Sequence, residues 1–250
     1  MNTTEIKTPS PSRIFSSLFK ADLVIQWRNR RASIMTIIVP IIILISWRDI
    51  IDKLGGPFAL SSCITIGLIA VGLMGYANTT ARDREKGVFQ RLRVTPASTT
   101  QIMTSRIAVQ LVQMAVMTIF VFIAAYFLDH ITLSVAGYVL SLIASVLCGA
   151  VFLALGLAIV GLISSAETVN AVSRFLYIAL VVIGAIGELG VLGNVLEKIT
   201  LWSPYGTVKT LLLASMTPSV WNSSILVALG VTIVYAGIFS IVGIKWFKWI

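Results

Sequence analysis

Residues 82–98 read RDREKGVFQRLRVTPAS, and seven of these seventeen side chains are charged. On one side lies FALSSCITIGLIAVGLMGYANTTA (58–81), which carries no charge; on the other, residues 100–128 carry only Arg106. About 20 apolar residues suffice to cross the hydrocarbon core of a bilayer. A charged segment set this sharply between two such runs joins two membrane-crossing helices.

Working outward, the same alternation repeats. Of 250 residues, 57% are hydrophobic and 12% charged, too little polar surface for a soluble domain of this length. The expected fold is all-α, a single transmembrane domain over 1–250 with six transmembrane helices at about 32–51, 58–81, 100–128, 133–163, 172–192 and 220–244. Pro40 should kink the first. Gly67, Gly72 and Gly75 in the second, and Ser141, Ser145 and Gly149 in the fourth, offer small-residue surfaces for close packing. Between 193 and 219 the chain is mixed and broken by Pro204 and Gly206, which reads as an external re-entrant helical hairpin.

Residues 1–12 are polar and read as a disordered tail. Residues 13–31 form a two-faced helix: Ile14, Phe15, Leu18, Phe19, Ala21 and Ile25 share one face, and Arg13, Ser16, Ser17 and Lys20 the other, with Asp22 interrupting the apolar side. Such a helix lies in the membrane interface, held at headgroup level by Trp27 and the Arg28, Arg30, Arg31 cluster. No short apolar core with a small-residue cleavage site precedes the first span, so that span is expected to stay as an uncleaved anchor.

The net charge of +9 follows the membrane rather than a nucleic acid. With six spans, fifteen of the 19 Lys and Arg fall on the side of the termini and four (Arg48, Lys53, Lys198, Lys209) on the other. The bias puts both termini and residues 82–98 in the cytoplasm.

Catalysis by this chain is not expected. His130 is the only histidine, in a short turn beside Asp129. Cys63 and Cys148 lie inside apolar runs without metal-ligand spacing. No lysine follows a glycine, so the phosphate loop GxxxxGK[ST] is absent.

Within 82–98, Val88 and Leu92 stand four apart beside Phe89, so a short helix has an apolar edge among charges; Pro96 ends it. Such a helix suits docking into a groove on a soluble partner, and equally suits a positive loop on the lipid surface.

The segment closely resembles the cytoplasmic segment of type-2 ABC transporter permeases, an acid-Arg-Glu-x-Gly run leading to Leu-x-Val-Thr-Pro. Asp83, Arg84, Glu85 and Gly87 match the first part; Leu92, Val94, Thr95 and Pro96 match the second. Val88 stands where threonine is commoner, and Gln90 where a second acid is common. The two-faced helix resembles the family's connecting helix, and Trp202-Ser203-Pro204-Tyr205 its external hairpin.

The resemblance implies an exporter built from two identical or related permeases and two cytoplasmic ATPase subunits. ATP and Mg would bind the ATPases, with no cofactor on this chain. Asp83, Arg84, Glu85, Gly87, Phe89, Leu92, Thr95 and Pro96 would couple to the ATPases, as would the interfacial helix with Phe15, Phe19, Trp27 and Arg28. The location implied is a bacterial or archaeal cell membrane. The family is associated with drugs, lipids, antimicrobial products and polysaccharides, and nothing in the sequence chooses among them.

Polar groups inside spans are the candidates for a substrate path: Glu188, Arg106, Gln110 and Gln113. Arg106, Gln110 and Gln113 suit interhelical hydrogen bonds and an arginine reaching for headgroups better than a substrate path. Glu188 can line an exit or pair with Lys198 or Lys209. A self-contained carrier or channel is the alternative, though no repeat links the two halves.

Overall fold

The structure, a computed structural model, describes residues 10–28, 30–93, 95, 97–188, 194–217 and 222–247. All regular structure among them is helical. Helices α1 (Pro11–Arg28), α2 (Arg30–Ser46) and α3 (Arg48–Leu54) lead into one continuous rod, Gly56–Glu85. The rod comprises α4 (Gly56–Ile69), a π-helical stretch (Ala70–Ala77) and α5 (Asn78–Glu85). Then come the short α6 (Val88–Arg93) and the long α7 (Thr99–Asp129), α8 (Val135–Leu162) and α9 (Ala166–Glu188). A bent pair, α10 (Asn194–Trp202) and α11 (Pro204–Met216), precedes α12 (Ser223–Trp246).

Among the described residues, five helices are long and apolar enough to cross a membrane: Gly56–Glu85, Thr99–Asp129, Val135–Leu162, Ala166–Ala185 and Ser223–Trp246. The apolar part of α2, Ile34–Ser46, is shorter.

Local chemistry sets the starts. Ser98 accepts from the Gln101 N–H while the Gln101 side chain accepts from the Ser98 N–H, a reciprocal cap on α7. Ser134, Ser203 and Asn222 cap α8, α11 and α12 in the same one-sided way. His130 closes α7 in the left-handed region (φ 52°), so the lone histidine serves as a helix terminator.

The rod Gly56–Glu85 is the most buried of the five, packed by α2, α7, α8, α9 and α11. It meets α8 backbone to backbone. A Cβ on Gly72 would stand 2.5 Å from the Phe152 carbonyl oxygen, and one on Gly156 2.6 Å from the Gly72 oxygen. Only glycines permit that approach. The contact falls inside the π-helical stretch, where the wider turn displaces the backbone. By contrast α9 and α12 turn apolar side chains such as Phe175, Ile178, Ile233 and Ile241 outward.

Helix α1 crosses α7 obliquely. The Gln101 amide donates to the Pro11 carbonyl, and the Ser105 hydroxyl to Asp22. Eleven residues of α1, about 16 Å, therefore pass while α7 advances four, about 6 Å.

Several boundaries differ from those expected. The tail of 1–12 ends early, because α1 begins at Pro11; residues 1–9 lie outside the described ones. The first span does not run unbroken through 32–51. α2 continues through Pro40 but stops at Ser46, and α3 restarts at Arg48. There Arg48 is drawn to Asp129 (Nε to Oδ1, 2.7 Å) and to the Leu128 carbonyl at the end of α7. The second span extends beyond 81 to Glu85, so Asp83, Arg84 and Glu85 belong to the long rod rather than to the short helix. The fifth begins at Ala166, six residues before 172, in the interval left between the fourth and fifth expected spans.

Candidate functional site

The matched segment builds a brace at one end of the bundle. Arg84, 7% exposed, donates from Nη1 to the Val160 carbonyl (2.5 Å) and from Nη2 to those of Ile163 (2.5 Å) and Ser164 (2.7 Å). Val160 lies in the last turn of α8, where the carbonyls lack intrahelical donors and the dipole favours a cation, and Ile163 and Ser164 follow directly after its end. The neighbouring Glu85 accepts from the Ala166 N–H (2.5 Å) with Oε1, at the first residue of α9. There the exposed N–H groups favour an anion. Two adjacent side chains thus satisfy both edges of the α8–α9 break.

Asp83 turns the other way. Its Oδ2 lies 2.6 Å from Arg106 Nη1 on α7. The Arg106 guanidinium also sits 4.7 Å from the centre of the Phe89 ring. Phe89, 1% exposed, meets Phe247 edge-on at 5.7 Å, just past the end of α12. The short α6 is therefore seated on α7 and α12 through one buried ring. It is joined to α5 through Gly87, whose φ of +66° suits glycine. The Gly87 N–H donates to the Arg84 carbonyl across that turn.

Arg106 is also close to α1. The Ser105 hydroxyl donates to Asp22 Oδ2 at 2.6 Å, so the acid that interrupts the apolar face of α1 points into the protein. Burial pushes the Asp22 carboxyl above its usual range. The Ser105 hydrogen bond and the Arg106 charge pull it partly back, and Asp83 adds to the rise. Phe15 and Phe19 stack at 6.2 Å on the partly buried side of α1. Trp27 and Arg28 are exposed. So is Ile25, which the periodicity groups with the inner face.

Between α1 and α6 runs a largely apolar groove of about 410 Å³, lined by Arg13, Ile14, Ser17 and Leu18 on one wall and Leu92, Thr95 and Ala97 on the other. Two segments far apart in sequence thus share one surface. Arg91 and Gln90 are exposed beside it. Val94 and Pro96 lie outside the described residues.

The candidates for a substrate path are dispersed. Gln113 donates to Thr36 Oγ1 at 2.9 Å and so ties α7 to α2. Arg106 is engaged by Asp83. Gln110 is buried, and its Oε1 has no hydrogen bond; it borders a small cavity of about 50 Å³ with Asp22, Tyr76, Asp83 and Arg106. The side chain of Glu188 lies outside the described residues.

Two arrangements of side chains are not visible in the sequence. Lys209 is buried in α11 with Nζ 3.3 Å from the centre of the Phe58 ring, beside a cavity of about 220 Å³ that also reaches Glu197 and Thr200. At the other end, Arg82 and Arg174 share a cavity with Asn78 and Asn170. Arginine at both positions is visible in the sequence; only the packing of α9 on the π-helical stretch brings them together.

Comparison with known proteins gives one positive result. No curated protein matches the chain. The ABC-2 type transporter family matches residues 13–216. That match starts in the first turn of α1 and ends at the last residue of α11, so it takes in the oblique helix, the Arg84–Glu85 brace and the bent pair. With five apolar helices of crossing length and a family match over most of its residues, the chain belongs to the ABC-2 type transporter family and is a multi-pass, permease-type transmembrane subunit of an ABC transporter.

Proposed function

We propose that this chain is the membrane half of an ATP-driven exporter, working as a pair of permeases on two cytoplasmic ATPase subunits that bind ATP and Mg. The observation that carries this reading is the groove between α1 and α6, because it joins the two segments that resemble the family's ATPase contacts. An ATPase helix seated there meets Leu18 on one wall and Leu92 on the other. Phe89, behind α6, passes its movement to α7 and α12, and Glu85 and Arg84 pass the movement of α5 to α8 and α9. Nucleotide shifts such an assembly only so far as the ATPase grips its two states differently, and a seated helix transmits that difference.

In this reading α2 makes the first of six crossings. The bond from Gln113 to Thr36 and the pair of Arg48 with Asp129 support it: they lie 16 residues, about 24 Å, apart along α7. The matched segment and both termini then face the cytoplasm, as the lysine and arginine bias requires. α10 and α11 form a re-entrant hairpin from the outer face. The Tyr235 hydroxyl supports it by donating to the Trp202 carbonyl at their bend, 12 residues or about 18 Å from the outer end of α12. Export is the direction the family resemblance implies.

The test is to tag the chain, extract it gently and identify stoichiometric companions by mass spectrometry. A soluble P-loop ATPase, present with the native chain and lost from a Leu18→Glu/Leu92→Glu variant that still inserts, is the expected result. A chain that purifies alone under several mild conditions overturns the reading and favours a self-contained carrier or channel.

A further inference from the structure

Gln26 of α1, Asn78 and Arg82 of α5 and Asn170 and Arg174 of α9 surround a cavity of about 220 Å³, floored by Met74, Gly75 and Thr79. That is several times the roughly 30 Å³ one water occupies. Two guanidinium groups line it and no carboxylate does. Asp83, next to Arg82, faces Arg106 instead, and Glu167, a turn before Asn170, does not line the cavity. Neither Arg82 nor Arg174 has an ion pair among the described residues. The Oδ1 atoms of Asn78 and Asn170 are out of water and accept no hydrogen bond. The last torsion of an asparagine is broad, so the Asn170 carboxamide can turn toward an incoming hydroxyl. The chemistry that satisfies these groups is an anion for the arginines, joined to a hydroxyl donor for the carboxamides.

The depth of the cavity and its surroundings say what carries that headgroup. Asn170 and Arg174 stand 4 and 8 residues from the start of α9, about 6 and 12 Å, which puts the cavity in the first half of that helix, where an arginine side chain can reach the headgroups. From Arg174 the outer face of α9 continues as Phe175, Ile178 and Val182, all exposed, and Ile25 is exposed beside Gln26. An acyl chain leaving the cavity along α9 thus stays on apolar surface. We propose that this cavity binds the phosphate headgroup of a hydroxyl-bearing anionic amphiphile from the cytoplasmic leaflet, with Arg82 and Arg174 holding the phosphate and Asn170 the hydroxyl. Only the assignment to that leaflet rests on the orientation given above; the binding chemistry does not.

The test uses the full chain in lipid nanodiscs of phosphatidylcholine with a small share of photoreactive phosphatidylglycerol, without the ATPase, so that it succeeds or fails independently of the exporter reading. The expected result is crosslinking of wild-type protein to peptides containing 74–82 or 170–178, competed by unlabelled phosphatidylglycerol and not by phosphatidylcholine. Arg82→Gln/Arg174→Gln should lower the yield tenfold or more, while Lys20→Gln/Lys245→Gln, at exposed positions away from the cavity, leaves it unchanged. Competition by millimolar glycerol phosphate assigns recognition to the headgroup alone; its failure makes the acyl chain part of the ligand, and both accord with the site. Wild-type crosslinks scattered over the lipid-facing helices, or equal competition by both lipids, overturn the proposal even where the double variant fails to fold.

Discussion

Arg84 and Glu85 are neighbours in sequence and grip opposite sides of one gap: Arg84 binds the carbonyls that end α8, and Glu85 binds the N–H that begins α9. Each charge has the sign its helix end favours. The pair fixes the angle at which α5, α8 and α9 leave that end of the bundle. It also explains why an Arg-Glu sequence at the end of a span is structurally useful before any partner is considered.

Removing the arginine should therefore unfasten the bundle. Arg84→Leu leaves three carbonyls without their donor, one at a buried bond and two at part-buried ones, at a cost of about 1–3 kcal/mol. Arg84→Lys keeps the charge but loses the fork that reaches three acceptors, and should recover only part. Thermal unfolding of the purified chain in detergent measures this. Equal midpoints for the native protein and Arg84→Leu would remove the brace from the account.

Glu85 separates structure from coupling. Glu85→Gln keeps an acceptor for the Ala166 N–H and loses the charge; Glu85→Ala loses both, and as a missing helix cap costs about 1 kcal/mol. The expected order of stability is native, Gln, Ala. In the assembled transporter, Glu85→Ala should abolish transport and substrate-stimulated ATP hydrolysis while membrane insertion persists. An Ala variant that transports normally contradicts the role given to this residue.

At Gly87 the constraint is conformational. Its φ of +66° lies in the left-handed region, where alanine costs roughly 1–2 kcal/mol and asparagine is tolerated. Proline is barred twice: its φ is fixed near −65°, and it cannot supply the N–H that meets the Arg84 carbonyl. Gly87→Asn should transport nearly as the native protein does, Gly87→Ala less, and Gly87→Pro not at all. A functional Gly87→Pro protein would show that α6 transmits nothing.

What the sequence made legible, and what it hid, divides by range. Spans two, three, four and six are visible because long apolar runs with at most one charge announce them, and their observed helices begin and end within a few residues of expectation, apart from the four-residue extension to Glu85. The hidden parts depend on partners far away in the chain. Arg82 to Glu85 read as part of a separate charged segment with a short helix of its own, yet the rod continues through them: Asp83 meets Arg106, and Arg84 and Glu85 meet the α8–α9 break. Residues 164–171 fall between the expected fourth and fifth spans, whereas a helix begins at Ala166 under the Glu85 carboxylate. The break at Trp47 is paired with Asp129, 81 residues beyond Arg48. Of the candidate site, the motif was visible in one dimension; the groove it forms with α1 needed the third.

Asp22 gives the site a pH dependence whose sign follows from its surroundings. Burial raises its carboxyl above the ordinary value, only partly offset by the Ser105 hydroxyl and Arg106, and Asp83 adds to the rise. A docked α1 therefore holds the proton better than a released one, so protonation favours docking. This contribution is fully present below the ordinary Asp value of about 3.9 and is lost as pH rises through the elevated value of the docked state. Spin labels on α1 and α7 should report a shorter, narrower distance at the acidic end of that window and a broader one above it. Asp22→Asn keeps an acceptor for Ser105 without the charge, and should hold the short distance across the whole range. Asp22→Ala should be equally insensitive to pH but more weakly docked, because Ser105 then has no acceptor there. If the Asn variant follows the same pH profile as the native chain, another group controls the docking of α1.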